Sequence, residues 1–233
     1  MAILDLPRNI ILENGSIHYL GKLIRSKGGR KVFILMDSFL AKPPLDLHEK
    51  IGVILTKSGI EYKLFTNFSG EPSTKHVKEA LTHFNDFHGD CVLGIGGGSA
   101  IDLAKALSVF GKSLDTEWKS IPNYQKLERI PLFAVPTTSG TGSEVTKIMV
   151  ITDFVTNIKM NPSHPDLVPD VAILDPELTL TLPPSFTVYT GLDALSHAIE
   201  GLLSNRATIM TKLFSIEAIK LIGKSLPKVF ENG

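Results

Sequence analysis

Apolar positions recur along this chain in two rhythms. Short β-branched and apolar runs at Asn9 to Leu12, Lys31 to Met36, Glu61 to Phe65, Cys91 to Ile95, Leu132 to Val135 and Val171 to Leu174 read as strands. Between most of them the spacing turns helical, over Ile17 to Ser26, Leu45 to Ser58, Thr74 to Phe84 and Ala100 to Phe110, the last with Ser99 as its expected cap. Strands alternating with helices predict an α/β fold around a parallel or mixed sheet. The strand signals stop near Asp175-Pro176 and Leu182-Pro183-Pro184, and two helices are expected beyond, about Thr187 to Ser204 and Ala207 to Leu221. The pattern therefore predicts an α/β domain over 1–183 and the start of a helical domain over 184–233.

Charge changes this picture only by exclusion. Lys plus Arg equals Asp plus Glu at 24 each, so no basic field exists to hold nucleic acid or an anionic membrane, and neither partner is expected. The first residues lack the basic, apolar, small-residue order of a signal peptide, and no apolar run reaches the roughly 20 residues that span a bilayer; a cytoplasmic location is expected. The single cysteine, Cys91, excludes an internal disulfide and fits a buried strand thiol. His18, His48, His76, His83, His88 and His164 are scattered, mostly on polar helix faces, and read as surface residues.

Four stretches carry candidate chemistry. Gly96-Gly97-Gly98-Ser99 follows a strand and opens a helix, where bare backbone N–H groups and the positive helix end converge on a site suited to phosphate; the plain alternative is a tight turn. The Rossmann spacing G-x-G-x-x-G fails at Ser99 or at Ile101. Gly111-Lys112-Ser113 and Gly223-Lys224-Ser225 mimic the end of a phosphate loop, but Ala106 and Ala218 stand where its first glycine is required. Asp37 ends a strand at the carboxyl edge, where a carboxylate can accept hydrogen bonds from a ribose diol, although taken alone it fits a solvated turn residue as well. Pro136 to Glu144 packs hydroxyls beside glycines, as a loop over a polar cofactor would, and as a plain polar loop would too.

The fourth is Asp193 and His197, four apart on a helix and so on one face. A carboxylate and an imidazole suit a divalent first-row metal, though a tight site normally needs more than two protein ligands, and only Glu200, Glu217 and Glu231 follow as plausible donors. The alternative is a helix Asp beside a satisfied His.

Taken together, the glycine row with Ser99 and Asp102, the Pro136 to Glu144 loop, Leu174-Asp175-Pro176-Glu177-Leu178 and the Gly191 to Glu200 helix resemble the iron-containing alcohol dehydrogenase family. The resemblance implies a dehydroquinate-synthase-like, Rossmann-like NAD-binding domain followed by the first helices of an incomplete all-α metal domain. It implies hydride transfer between a primary or secondary alcohol and NAD, with the corresponding aldehyde or ketone as the oxidised product. Gly97, Gly98 and Ser99 fall to the pyrophosphate, Thr137, Thr138 and Thr146 to the nicotinamide end, Lys159 to a further cofactor contact, and Asp37 to a preference for NAD. Asp193 and His197 match two ligands of a metal, ferrous iron with zinc as alternative, that acts as a Lewis acid toward the alcohol. The family's other two ligands are histidines from further along the helical domain, so weak metal binding, and either a homo-oligomer or association with a second polypeptide carrying the remaining helices, is expected. A catalytically silent NAD-binding fragment is the competing expectation. Glu71-Pro72 replaces the Asn-Pro of many members, and Ser163-His164-Pro165 also departs from the pattern.

Overall fold

The computed structural model describes residues 4–111 and 126–232. The strands are β1 (Asn9–Leu12), β2 (Lys31–Met36), β3 (Glu61–Phe65), β4 (Cys91–Gly96), β5 (Leu132–Pro136), the short antiparallel pair β6 (Ile151–Thr152) and β7 (Lys159–Met160), and β8 (Val171–Leu174). All but β6 and β7 form one parallel sheet in the order β1-β8-β5-β4-β2-β3. The central strands are uninterrupted apolar runs, and β4 and β5 are buried along their whole length, as a parallel sheet covered on both faces requires. The edge strands β1 and β3 keep exposed positions such as Asn9 and Glu61.

Helices α1 (Leu20–Ser26), α2 (Leu47–Lys57), α3 (Thr74–Phe87) and α4 (Gly98–Phe110) connect the first strands. The sequence expectation for α1 is corrected in one respect: the segment opens with a separate 3₁₀ turn, Ser16–Tyr19. A capping box starts α3, in which His76 N–H donates to Ser73 Oγ and the Ser73 N–H donates to His76 Nδ1. The helix α4 is apolar on nearly all sides and buried from Ala100 to Phe110. Ser99 does not cap it. Gly97, with extended backbone, occupies the cap position, and Ser99 lies inside the first turn, where its hydroxyl cannot take the capping role.

The chain divides into two compact units, one of Asp5–Thr137 and Ser143–Glu177, the other containing Thr138–Gly142 and everything from Leu178 onward. The second unit is built on α5 (Pro184–Leu203) and α6 (Ile209–Asn232), which pack on each other. The short Thr138–Gly142 segment lies close to α5 because residue 140 has no side chain: a Cβ there would sit 2.8 Å from both the Cβ and the carbonyl oxygen of Thr190. The helix α6 runs past the expected end at Leu221 and through Pro227, since Ile222, Leu226 and Phe230 continue its apolar spacing and line a groove with Val188 and Leu195. Gly223 is therefore helical, not part of a phosphate loop; Lys112 and Ser113 of the other mimic lie outside the described residues. Leu203, Leu213, Phe214, Ile216 and Leu221 are exposed, while Leu202 and Ile219 are half-buried. Among the described residues no helix is long and apolar enough to cross a membrane.

Candidate cofactor site

Strand order reverses between β2 and β4. From β2 the chain steps outward to β3, then returns to the far side of β2 as β4, and from β4 the sheet grows the other way through β5. Open parallel sheets bind ligands in the crevice at the carboxyl ends of strands flanking such a reversal. Asp37 follows β2 there, and Gly97, Gly98 and Ser99 follow β4. The two elements meet: Gly97 N–H donates to Asp37 Oδ2 at 3.4 Å across 60 positions of sequence.

Gly96 makes this approach feasible. Its φ is +143°, in the region that L side chains rarely adopt, and a Cβ would lie 2.6 Å from Asp37 Oδ2. Burial raises the Asp37 carboxyl above its ordinary value, and the Gly97 hydrogen bond opposes that rise. Thr137, buried beside it, donates its backbone N–H to the Gly96 carbonyl at 3.0 Å. No side chain caps the N-terminus of α4, which leaves the backbone N–H groups of its first turn directed at the crevice with the positive end of the helix dipole. This cradle fits a dinucleotide pyrophosphate, with Asp37 one strand away as a hydroxyl acceptor.

Behind the glycine row lies a polar cluster that the sequence reading missed. Lys105 is fully buried, and its Nζ donates to Thr146 Oγ1 at 3.1 Å and to the Ile148 carbonyl, with Asp102 Oδ1 3.7 Å away. Asp102 in turn accepts hydrogen bonds from the Ser143 hydroxyl and, at 2.9 Å, from the Val150 N–H. Burial lowers the Lys105 pKa to about 8 against the opposing attraction of Asp102 and Glu144. Burial also raises Asp102, with Lys105, Ser143 and Val150 opposing, and raises Glu144. The available signal was a charged pair three apart, Asp102 and Lys105, inside an otherwise apolar helix, where neither side chain has solvent to face.

The remaining candidates lie elsewhere. Lys159, exposed on β7, pairs with Glu71 Oε2 at 3.2 Å, and Thr152 Oγ1 donates to Glu71 Oε1 at 3.0 Å, so the residue that replaces the family's Asn already holds the lysine. Thr138 is half-buried in the segment that groups with the helices. Asp193 Oδ1 and His197 Nε2 are 3.7 Å apart on one face of α5, both about half exposed. Among the described residues no group of three or more His, Cys, Asp or Glu is placed to hold a metal ion. The pair thus has the orientation for two ligands and lacks the donor count of a closed site. One histidine corrects the surface assignment: His164 is 2% exposed, and its Nδ1 accepts the Asp166 N–H at 3.0 Å at the start of the 3₁₀ turn Pro165–Leu167.

Comparison with known proteins places this geometry in context. Residues 7–176 match the family model for iron-containing alcohol dehydrogenase, and residues 187–233 match the model of that family's C-terminal region. The chain is 39% identical to the probable alcohol dehydrogenase EutG of Escherichia coli (strain K12), over 98% of this chain and 58% of that protein. It is 34% identical to the NAD-dependent methanol dehydrogenase of Bacillus methanolicus, over 98% of this chain and 60% of that one. The structure of an alcohol dehydrogenase from Oenococcus oeni superposes with a TM-score of 0.95 at 31% identity, covering 100% of this chain and 61% of that chain. The chain therefore spans about three-fifths of the length of these relatives.

Proposed function

The chain belongs to the iron-containing alcohol dehydrogenase family, and on that premise we propose that it serves an NAD- and metal-dependent alcohol dehydrogenase that moves hydride between a primary or secondary alcohol and NAD. The observation that carries this reading is the crevice at the strand reversal, where Asp37 meets Gly97 in front of an uncapped helix N-terminus. In it the amides of Gly98 and Ser99 hold the pyrophosphate, joined by that of Gly97 once it turns from Asp37, Asp37 accepts from the adenosine ribose hydroxyls, and Thr137 and Thr146 face the nicotinamide end. Asp37 disfavours a 2′-phosphate by charge, which selects NAD over NADP. Lys159 contributes to cofactor binding only after its pairing with Glu71 loosens. The bound nicotinamide supplies the hydride acceptor, and the protein supplies position.

Asp193 and His197 do not by themselves form a metal centre, since among the described residues no third donor joins them. A second reading concerns these 233 residues assayed alone: the α/β part over 1–183 binds NAD without alcohol turnover by the helical part over 184–233, since among the described residues Asp193 and His197 have no third metal donor beside them. Calorimetry with NADH tests the first element. Absence of binding discredits the crevice. Alcohol oxidation followed by nicotinamide absorbance, with ferrous iron or zinc added, then separates the readings: turnover supports the dehydrogenase reading, whereas NADH binding without turnover supports the second.

A further inference from the structure

The buried Lys105 is unusual in its position and in what it touches. A lysine side chain in the middle of an apolar helix is costly to bury, and its three N–H donors need acceptors. Two are met by Thr146 Oγ1 and the Ile148 carbonyl, and the third points toward Asp102 Oδ1. From the same helix, Asp102 holds Ser143 and Val150. Together they fasten the segment from Ser143 to Val150 to α4 at four places.

One consequence concerns a single proton. An ammonium group can only donate, so Thr146 Oγ1 must be the acceptor in its bond with Lys105. The hydroxyl's own proton then needs another acceptor. Within the segment the nearest are Ser143 O at 3.4 Å and Ile148 O at 3.5 Å, both beyond the range of a good O–H···O bond. The Thr146 hydroxyl is thus held in place with only these two long contacts on its donor side.

We infer that Lys105 is a positioning residue, which, by donating to one lone pair of Thr146, fixes that hydroxyl so that its O–H is presented as the donor to the carboxamide oxygen of the nicotinamide. This rests on the reading above that Thr146 faces the nicotinamide end of NAD. Burial lowers the Lys105 pKa to about 8 while Asp102 and Glu144 oppose the drop, so the group is an ammonium donor below that pH.

The test compares NADH with ADP-ribose, which has the same pyrophosphate and ribose groups and no nicotinamide. Both are titrated into the wild-type chain, Lys105→Met, Lys105→Gln, Thr146→Val, Thr146→Ser and the Lys105→Met/Thr146→Val double variant. The expectation is a loss of about tenfold in NADH affinity for Lys105→Met and for Thr146→Val, no further loss in the double variant, and unchanged affinity for ADP-ribose throughout. Thr146→Ser, which keeps the hydroxyl, retains wild-type affinity. A purely structural lysine would weaken both ligands alike or neither, and either pattern overturns the proposal. If neither lysine variant folds, the threonine pair decides: NADH bound as tightly by Thr146→Val as by Thr146→Ser overturns it, and a loss confined to the valine variant upholds it. Failure of the wild-type chain to bind ADP-ribose or NADH at all refutes the cofactor site itself, which is a different result.

Discussion

Asp175 offers the most direct test of how the structure is held together. Its carboxylate is 1% exposed at the end of β8 and accepts three backbone N–H groups, Gly15 and Ile17 at 3.0 Å and Glu177 at 3.1 Å. The first two lie about 160 positions earlier in the chain, on the turn that follows β1, so one side chain ties the start of the sheet to its last strand. Charge-assisted bonds of this kind contribute about 1.5–3 kcal/mol each, but the three are not equal. The Gly15 and Glu177 amides are part-buried and can turn to water, whereas the Ile17 amide is buried and is left unpaired when the carboxylate goes. Asp175→Ala should therefore cost about 3–5 kcal/mol, most of it from Ile17 and from the space left behind.

The informative comparison is Asp175→Asn. One oxygen, Oδ1, serves Gly15 and Glu177, and the other, Oδ2, serves Ile17. An asparagine keeps only one acceptor oxygen, so its NH₂ confronts at least one backbone donor whichever way the amide is turned. The near-isosteric variant should thus lose about 2–4 kcal/mol. Urea unfolding followed by circular dichroism reads this as a fall of about 1–2 M in midpoint at unchanged slope, for a slope near 2 kcal/mol/M. An Asp175→Asn midpoint within about 0.3 M of wild type, at that slope, would show that the carboxylate is not a clamp and would sink the reasoning.

Three further outcomes follow from the site. Asp37→Asn should bring the affinity for NADPH at least about tenfold closer to that for NADH, because a carboxylate near a 2′-phosphate costs more than that at short range; an unchanged ratio of dissociation constants would remove Asp37 from cofactor choice. With two protein donors, zinc should bind more weakly than about micromolar, and Asp193→Ala or His197→Ala should abolish the calorimetric signal; tight stoichiometric binding by the chain alone would mean that further ligands reach the pair. Lys105, at about 8 in the folded chain against an ordinary 10.5, binds fewer protons folded than unfolded between those values. Its contribution to stability therefore rises by about 3 kcal/mol as pH climbs through that window and is least favourable below it. The gap in unfolding free energy between wild type and Lys105→Met should move by this amount from pH 7 to pH 10, and a constant gap would refute the assignment.

What could be read without coordinates was whatever short-range physics encodes. The strands of the parallel sheet stand within a residue of the runs that predicted them, since a segment buried on both faces must be apolar throughout, and that composition is visible locally. The glycine row was legible because a strand-to-helix turn that approaches a ligand excludes side chains. The two residues each of β6 and β7 are too few to show a period, and α6 runs past the expected end at Leu221 and through Pro227 because its apolar face packs against α5.

The charged interior was not legible, because its partners are remote in sequence. Nothing near Lys105 announces Thr146, nothing near Asp175 announces Gly15, and His164 looked like any exposed histidine until the chain folded over it. The sequence by itself determined the α/β order, the family and the residue types offered to the cofactor. The tertiary structure alone decided that Asp37 meets Gly97, that Lys105 is buried against Thr146, and that Asp193 and His197 lie half-exposed with no third metal donor among the described residues. The reason is physical: helix and strand preferences act over a few residues, whereas desolvation and pairing of a charge depend on what the whole fold brings beside it.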